Sequence, residues 1–313
     1  MDVRRRDGIL CGLAAFGMWG VMPLYFAALR EVPALEILGQ RIVWSMLLLA
    51  AILTTLGRWG DVARCLTSRR LRVVFLTSAA LLSANWLIYI YGVATHQTVE
   101  TSLGYFINPL LNVALGLLIF RERLRPAQLV ALALGTLAVG ILIVATGTLP
   151  WIALSLAASF ATYGLIRKVA PADAILGLSV ETMLLTLPAA AYLIVQGAQR
   201  SLWWSHGDRT TQWLLAASGV ITTVPLLCFG HAARTVPLSM LGFMQFLSPS
   251  LQFILAVTVL GEPLSRVKFV SFIFIWIGLA IYSVDAWRAG RASRRPADEF
   301  VTEQVVESAP AEA

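Results

Sequence analysis

Apolar stretches follow one another along most of this chain, and each is long enough to cross the hydrocarbon core of a bilayer, which takes about 20 residues. Hydrophobic residues make up 58% of the 313 and charged residues only 13%, whereas a soluble domain carries about 25% charged residues. The chain is therefore predicted to be an all-α integral membrane protein with ten transmembrane helices. The predicted spans lie at roughly 8–28, 35–56, 72–94, 101–120, 127–146, 149–166, 174–195, 212–231, 238–260 and 267–285.

The basic residues lie mainly in the connections on one side of the predicted spans. If the N-terminus is inside, eighteen of the 24 Lys and Arg fall on the inner side and five on the outer side, while Arg41 lies within a span. Loops rich in Lys and Arg stay in the cytoplasm, so both termini are predicted to be cytoplasmic and 196–211 to be outside. Membrane topology thus accounts for the net charge of +7, and no nucleic-acid partner is expected.

A short pattern occurs twice, about 140 residues apart. The segment LGYFINPL at 103–110 leads to Glu122, and LGF at 241–243 leads through Pro249 to Glu262, with proline and glutamate 13 residues apart in both. Each half contains five predicted spans, an odd number, so the two halves must insert with opposite orientations, as in many transporters. The predicted domains are two inverted five-helix repeats, 1–147 and 148–286, and a disordered cytoplasmic tail, 287–313, which is polar and mostly acidic.

Two segments, NWLIYIYGV at 85–93 and SLGYFINPL at 102–110, closely resemble the RarD branch of the EamA transporters, which belong to the drug/metabolite transporter superfamily. The segments 40–45 and 181–185 are similar to that branch as well, and the resemblance covers about residues 5–286. It implies ten helices in two EamA repeats, a location in the bacterial inner membrane, and export of small metabolites or drugs. Arg121 stands where many members carry glycine, which concerns only the local turn.

Polar and aromatic residues recur at helical spacing in the third, fourth and ninth spans, so each set falls on one helix face. Polar side chains avoid lipid, and these faces are predicted to look inward, either lining a substrate cavity or bonding one helix to another. Pro109 and Pro249 would bend their helices and are the candidate hinges. The predicted pathway residues are Trp19, Arg41, Asn85, Tyr89, Tyr105, Asn108, Asn112, Tyr163, Glu181, Gln245, Ser248 and Gln252.

Arg41 and Glu181 stand at matching positions in the two halves, inside spans where a charge costs about 2.5–3.5 kcal/mol on insertion scales. Side chains lean toward the N-terminal end of their helix, so Arg41 is expected to lean outward and Glu181 inward, without a salt bridge between them. Each could line a water-filled vestibule, snorkel, or bond to a neighbouring span. Glu181 is the only acidic residue deep within a predicted span and is the candidate proton carrier. Arg41 is the only intramembrane cation expected to oppose that role.

These patterns favour a secondary transporter that exports a small amphipathic or zwitterionic metabolite or drug by alternating access. A non-transporting membrane scaffold and, with less support, an intramembrane enzyme are the alternatives. No cofactor and no metal site is predicted, because Cys and His are scattered and no GxxxxGK[ST] string occurs. The expected partners are a small-molecule substrate, the lipid bilayer and the proton as candidate coupling ion, while the oligomeric state is left open.

Overall fold

A computed structural model describes residues 3–120, 125–170, 172–236 and 244–292, and these residues form helices and no strands. Within this part of the chain, seven helices are long and apolar enough to cross a membrane. The prediction of an all-helical membrane protein is therefore confirmed, while the count of ten spans and the inverted repeat stay predictions. The helices are α1 (Val3–Ala28), α2 (Ala34–Leu56), α3 (Trp59–Thr67), α4 (Arg69–Ala94), α5 (Thr98–Phe120), α6 (Pro126–Thr146), α7 (Trp151–Val169), α8 (Ala174–Ala198), α9 (Trp203–His206), α10 (Arg209–Thr235), α11 (Leu247–Thr258) and α12 (Arg266–Ala292).

Several helices begin and end at residues suited to those positions. The carboxylates of Asp173 and Asp208 accept backbone N–H groups in the first turns of α8 and α10, at 2.9 and 2.8 Å, as good N-caps do. Gly57 and Gly147 end α2 and α6 in the left-handed conformation, with φ of 64° and 66°, which glycine adopts without strain. The chain thus signals these helix boundaries locally, apart from the packing of the bundle.

The long helices pack in a regular set of neighbours. α1 packs against α10 and α11, and α7 packs against α4 and α5. α2 packs against both α8 and α10, α5 against α11, and α6 against α12. The buried core consequently lies between helices from both halves of the chain, and the two charged spans, α2 and α8, are direct neighbours.

Two glycines allow helix backbones to approach closely. A Cβ at Gly104 would lie 2.7 Å from the carbonyl oxygen of Ala153, so α5 and α7 meet there with no side chain between them. A Cβ at Gly219 would lie 2.5 Å from the carbonyl carbon of Trp44, at the contact between α10 and α2. Small residues at such contacts are typical of helix packing in membranes.

The structure differs from the sequence-based expectation at Pro249. Pro249 lies in the first turn of α11, which begins at Leu247 after a turn at Phe246, and not in the middle of a continuous helix. The physical reason is that proline has no N–H to donate to the carbonyl four residues earlier. The helix is interrupted at Phe246, between that carbonyl and Pro249.

Two further segments depart from the predicted boundaries. α12 continues to Ala292, beyond the boundary at 286 predicted for the tail, and residues 293–313 of that tail lie outside the described residues. The connection predicted at 57–71 contains a short helix, α3, whose buried residues Val62 and Cys65 pack in one apolar cluster with residues of α4 and α8.

Candidate functional site

Arg41 is enclosed where α1, α2, α4 and α10 meet, and its residue surface is only 6% exposed. Its Nε donates to the hydroxyl oxygen of Thr222 at 2.5 Å. The guanidinium carbon lies 4.1 Å from the ring centroid of Trp86 and 5.8 Å from that of Phe26. Cation–π contacts of this kind stabilise a desolvated cation. Among the described residues, no carboxylate forms an ion pair with Arg41.

Glu181 on α8 is fully buried, at 0% exposure, and has different partners. The hydroxyl of Ser78 donates to its Oε1 at 2.6 Å, and the hydroxyl of Tyr163 donates to its Oε2 at 3.3 Å. Nη1 of Arg167 lies 3.8 Å from Oε1. As expected, Arg41 and Glu181 do not pair with each other. The expectation that Arg41 is the only cation available to Glu181 is wrong, because Arg167 reaches it from beyond the predicted end of the sixth span.

Gly177 explains how Arg167 reaches so far into the bundle. A Cβ at Gly177 would overlap the guanidinium of Arg167, so the missing side chain leaves room for the arginine to lie across α8. Nη2 of Arg167 also donates to the backbone carbonyl of Asp173 at 3.1 Å. The sequence could have indicated this space beside Glu181, since Gly177 lies one helical turn before Glu181 and on the same face of the helix.

A file of five aromatic rings runs between the surroundings of the two charges. Successive ring centroids in this aromatic file lie 5.7, 5.7, 6.2 and 6.1 Å apart. Its first ring is the one near Arg41, and its last residue binds Glu181. The rings come from four helices, so the tyrosine hydroxyls and the ring faces form a continuous row across the bundle. The aromatic file consists of Phe26, Tyr89, Tyr105, Phe160 and Tyr163.

Asn85 bonds helices to one another beside this file. Its Nδ2 donates to the carbonyl oxygen of Leu156 at 3.0 Å and to the hydroxyl of Ser159 at 2.9 Å, joining α4 to α7. Its Oδ1 accepts from the hydroxyl of Tyr105 at 3.3 Å. Of the two alternatives left open by the sequence, helix bonding describes Asn85 in this conformation, and the same bonds orient a ring of the aromatic file.

A similar polar contact joins α11 to α1. Nε2 of Gln252 donates to the backbone carbonyl of Trp19 at 3.0 Å and to the hydroxyl of Ser248 at 3.1 Å. The ring of Trp19 is half-buried and packs 5.5 Å from that of Phe16. Gln245 is half-buried just before the turn at which α11 begins.

Among the predicted pathway residues, Asn108 has a buried side-chain amide that its described surroundings leave without hydrogen bonds. It is 0% exposed, and neither polar atom of its amide has a hydrogen-bond partner within the described part of the chain. Leaving such a group unpaired costs about 1–3 kcal/mol. Asn112 and Pro109 also lie on α5, but their side chains fall outside the described residues.

The water-filled vestibules expected around Arg41 and Glu181 are closed in this conformation, because protein atoms enclose both side chains. Two cavities lie near helix ends instead. One, of about 120 Å³, lies beside Glu100 and Lys268, and the other, of about 260 Å³, lies beside Arg30 and Trp203. None of the predicted pathway residues lines either cavity.

Three glutamates bind the beginning of a helix to which they do not themselves belong. Glu262 accepts from the backbone N–H groups of the first two residues of α5, at 2.6 and 2.8 Å. Glu100 accepts from the second residue of α7 at 3.1 Å, and Glu36 accepts from the first two residues of α9 at 3.0 Å each. The sequence singled out Glu262 of these helix-binding glutamates, as the end of the repeated pattern, but not Glu36 or Glu100, and it gave no partner for any of them because the partners are remote along the chain. A carboxylate bound to helix N–H groups is a strong, charge-assisted contact.

Comparison with known proteins gives consistent results. Residues 6–144 match the EamA-like transporter family. An "Uncharacterized transporter" of Vibrio cholerae is 45% identical over 290 residues, covering 93% of this chain and 96% of the relative. "Protein RarD" of Salmonella typhi is 43% identical over 287 residues, covering 91% of this chain and 98% of the relative. A crystal structure with 17% identity superposes with a TM-score of 0.58 over 90% of this chain and 99% of its own, which concerns the fold alone.

Proposed function

This chain belongs to the RarD branch of the EamA-like transporter family, and we propose on that premise that it exports a small amphipathic or zwitterionic metabolite or drug by alternating access. Family membership and the apolar helices make it a multi-pass membrane transporter of the drug/metabolite superfamily in a bacterial inner membrane. The proposal adds the substrate class, the direction and the mechanism.

The observation that carries the proposal is the pair of buried opposite charges, Arg41 on α2 and Glu181 on α8, on helices that pack against each other. Intramembrane charges are costly and typically mark a substrate or ion pathway. The aromatic file connects their surroundings through polar hydroxyls and ring faces. A small molecule with one polar and one apolar part matches this row of hydroxyls and ring faces.

Helix packing supports an arrangement of ten spans in two inverted repeats, 1–147 and 148–286. If α1, α2, α4, α5 and α6 correspond to α7, α8, α10, α11 and α12, exchanging the halves converts the contact of α1 with α10 into that of α7 with α4. It likewise converts α1–α11 into α7–α5, and it leaves α2–α8, α5–α11 and α6–α12 unchanged. A two-fold relation of this kind places one site at the repeat interface.

The Asn108 amide, which has no partner among the described residues, and the turn at Phe246 just before α11 support a pathway that changes shape. Asn108 would gain partners when substrate or water reaches it. Pro249, at the start of α11, and Pro109 serve as hinges in this proposal. The remaining predicted residues, from Trp19 to Gln252, line the path or hold its walls.

Coupling to protons through Glu181 requires Arg167 to move. At 3.8 Å, Arg167 favours the charged carboxylate, so proton uptake follows when the arginine swings away toward the cytoplasmic end. The long Arg side chain can make that change without movement of the backbone.

A screen followed by flux measurement tests the proposal. Purified protein is heated with amino acids, related zwitterions and amphipathic antibiotics, and compounds that raise its unfolding temperature are assayed for counterflow in proteoliposomes. A transporter exchanges at least one of the compounds that bind, and Tyr105→Phe slows that exchange while expression is maintained. A membrane scaffold passes none of them, which would overturn the proposal.

A further inference from the structure

Two nitrogens of the Arg41 guanidinium have no hydrogen-bond partner among the described residues. Nε donates to Thr222, whereas Nη1 and Nη2 form no hydrogen bond within the part of the chain that the structure describes. A buried charge without a counterion is costly, and an anion that pairs with it relieves that cost. We propose that Arg41 binds the carboxylate of the transported molecule, an inference that rests on the proposed transport function.

Tyr89 supplies an independent second donor. Its hydroxyl is buried and has no hydrogen-bond partner among the described residues. Its ring packs 5.7 Å from the ring of Phe26, which in turn lies 5.8 Å from the guanidinium carbon of Arg41. The neighbouring hydroxyl of Tyr25, by contrast, is occupied, because it donates to the carbonyl of Leu214 at 2.8 Å. The guanidinium of Arg41 on α2 and the hydroxyl of Tyr89 on α4 therefore both offer donors near the ring of Phe26.

The charge and shape of this site favour a carboxylate over a phosphate. The two terminal nitrogens of arginine match the two oxygens of a carboxylate in a bidentate pair. A phosphate monoester carries a charge of about −1.5 to −2 at neutral pH, and Arg41 is the only Lys or Arg deep within a predicted span, because Arg72 and Lys268 lie at span ends. One guanidinium neutralises one carboxylate and leaves a phosphate with excess charge in a region of low dielectric.

Aromatic rings define the rest of the ligand. The guanidinium lies over Trp86 at 4.1 Å, and the ring of Tyr105 lies 5.7 Å from that of Tyr89 along the aromatic file. Flat apolar groups pack well against such rings. The substrate class is therefore a small molecule in which a carboxylate is joined to an aromatic or similar apolar group, and an aromatic amino acid is one example.

Matched acids and amides test the inference on the wild-type protein. The purified full chain in detergent is titrated with 3-phenylpropionate, L-phenylalanine, 3-phenylpropanamide and L-phenylalaninamide, and the unfolding temperature is followed at each concentration. The two acids are expected to raise the unfolding temperature with affinities at least tenfold better than those of the two amides. Equal shifts for acid and amide, or no shift from either acid, would overturn the inference.

Two pairs of variants locate the binding group. Arg41→Lys keeps the charge but loses the pair of terminal nitrogens, so its affinity for both acids should fall at least tenfold. Arg64→Lys, at an exposed position of α3, should bind as wild type. Thr222→Val removes the acceptor that orients Nε and should weaken binding severalfold. Its control is Thr223→Val, because the hydroxyl of Thr223 has no partner among the described residues. If Arg41→Lys does not fold, the Thr222 and Thr223 pair decides the question. Wild-type affinity in Arg41→Lys, or in Thr222→Val, contradicts the assignment.

Flux separates this inference from the transport function. If proteoliposomes exchange neutral solutes while acids bind independently of Arg41, the transporter proposal stands and the carboxylate site is wrong. If acids bind through Arg41 and no solute crosses, the carboxylate site stands and the transporter proposal is wrong.

Discussion

The guanidinium of Arg167 lies 3.8 Å from the carboxylate of Glu181, a distance too long for a hydrogen bond and short enough for a strong electrostatic contact. The carboxylate is fully buried, whereas the arginine side chain is 15% exposed. The pair thus joins the interior of the bundle to the end of α7. Because the arginine is partly exposed and the glutamate is enclosed, we expect any change in this contact to come from movement of Arg167.

A double-mutant cycle should detect this contact. Glu181→Gln and Arg167→Met are expected to be non-additive in the free energy of unfolding, with a coupling of about 0.5–3 kcal/mol. Removing either charge alone leaves the other without its partner. The measurement is denaturant unfolding of the four proteins in detergent. Lys268→Met is the control and should add to Glu181→Gln within about 0.5 kcal/mol; additivity of the Arg167 pair as well would mean that the contact is energetically unimportant.

Glu181→Gln should uncouple transport from the proton gradient. Glutamine keeps the shape and can still bond to Ser78 and Tyr163, but it cannot ionise. Flux driven by a pH difference should be lost in proteoliposomes, while exchange at equal pH on both sides continues. The control, Glu31→Gln, changes an exposed carboxylate and should behave as wild type. Surviving pH-driven flux in Glu181→Gln would show that another group carries the proton.

Gly219→Ala should destabilise the protein by about 1–3 kcal/mol, the range for overpacked sites. The new Cβ would lie 2.5 Å from a backbone atom of Trp44, and backbone cannot move aside as a flexible side chain does. Gly140→Ala in α6 is the matched control, because nothing lies within 4 Å of its Cβ position and alanine favours helix. Unfolding temperatures of the two variants give the comparison, and equal values would contradict the close approach of α2 and α10.

Cysteine labelling should define the orientation in the membrane. In a background without Cys11, Cys65 and Cys228, a cysteine at Ser205 is expected to react with an impermeant maleimide in intact spheroplasts. A cysteine at Thr67, on the opposite predicted side, should react only after lysis. The reverse pattern would invert the predicted topology.

Asp61 should contribute to stability only above acidic pH. The Arg58 guanidinium, bonded to Asp61 at 3.0 Å, holds the pKa of that carboxyl below its ordinary value. A lowered folded-state pKa means that the contribution is present above the pKa of the unfolded chain and is lost as pH falls through the folded value. The unfolding temperatures of wild type and Asp61→Asn should therefore differ at neutral pH and converge in acid. A difference that stays constant over this range would exclude the ion pair as its cause.

Hydropathy predicted much of the helical architecture. The windows of about 20 apolar residues coincide with helices in the described chain, since in lipid a backbone must satisfy its own hydrogen bonds. The position of Gly57 after α2 and of Asp173 before α8 follows from capping rules that act over a few residues. The exact start of α11 was missed, because the hydropathy of 238–260 is continuous across the turn at Phe246.

The contacts of the candidate site could be predicted only in part. The separation of Arg41 from Glu181 followed from depth and side-chain direction, which are local properties. The pairing of Glu181 with Arg167 did not, because it depends on the room left by Gly177 and on a long side chain turning back from the end of α7. Asn85 could be predicted only in a different respect. Helical spacing predicts the helix face on which Asn85 lies, but not whether its amide bonds to a neighbouring helix or to a ligand.

The three helix-binding glutamates all lie at the end of the bundle predicted to face outward, and this has a consequence for the resting state. Glu36, Glu100 and Glu262 each hold the start of another helix there, and a hydrogen bond to a charged group contributes about 1.5–3 kcal/mol. Separation of the helices at that end must break several of these bonds together. At the opposite end the comparable links are the ion pairs from Arg58 to Asp173 at 2.7 Å and from Arg125 to Asp285 at 2.6 Å, and their side chains are partly exposed. With the predicted topology and the proposed export by alternating access, we therefore expect the empty protein to open more readily to the cytoplasm, the side from which an exporter binds its substrate.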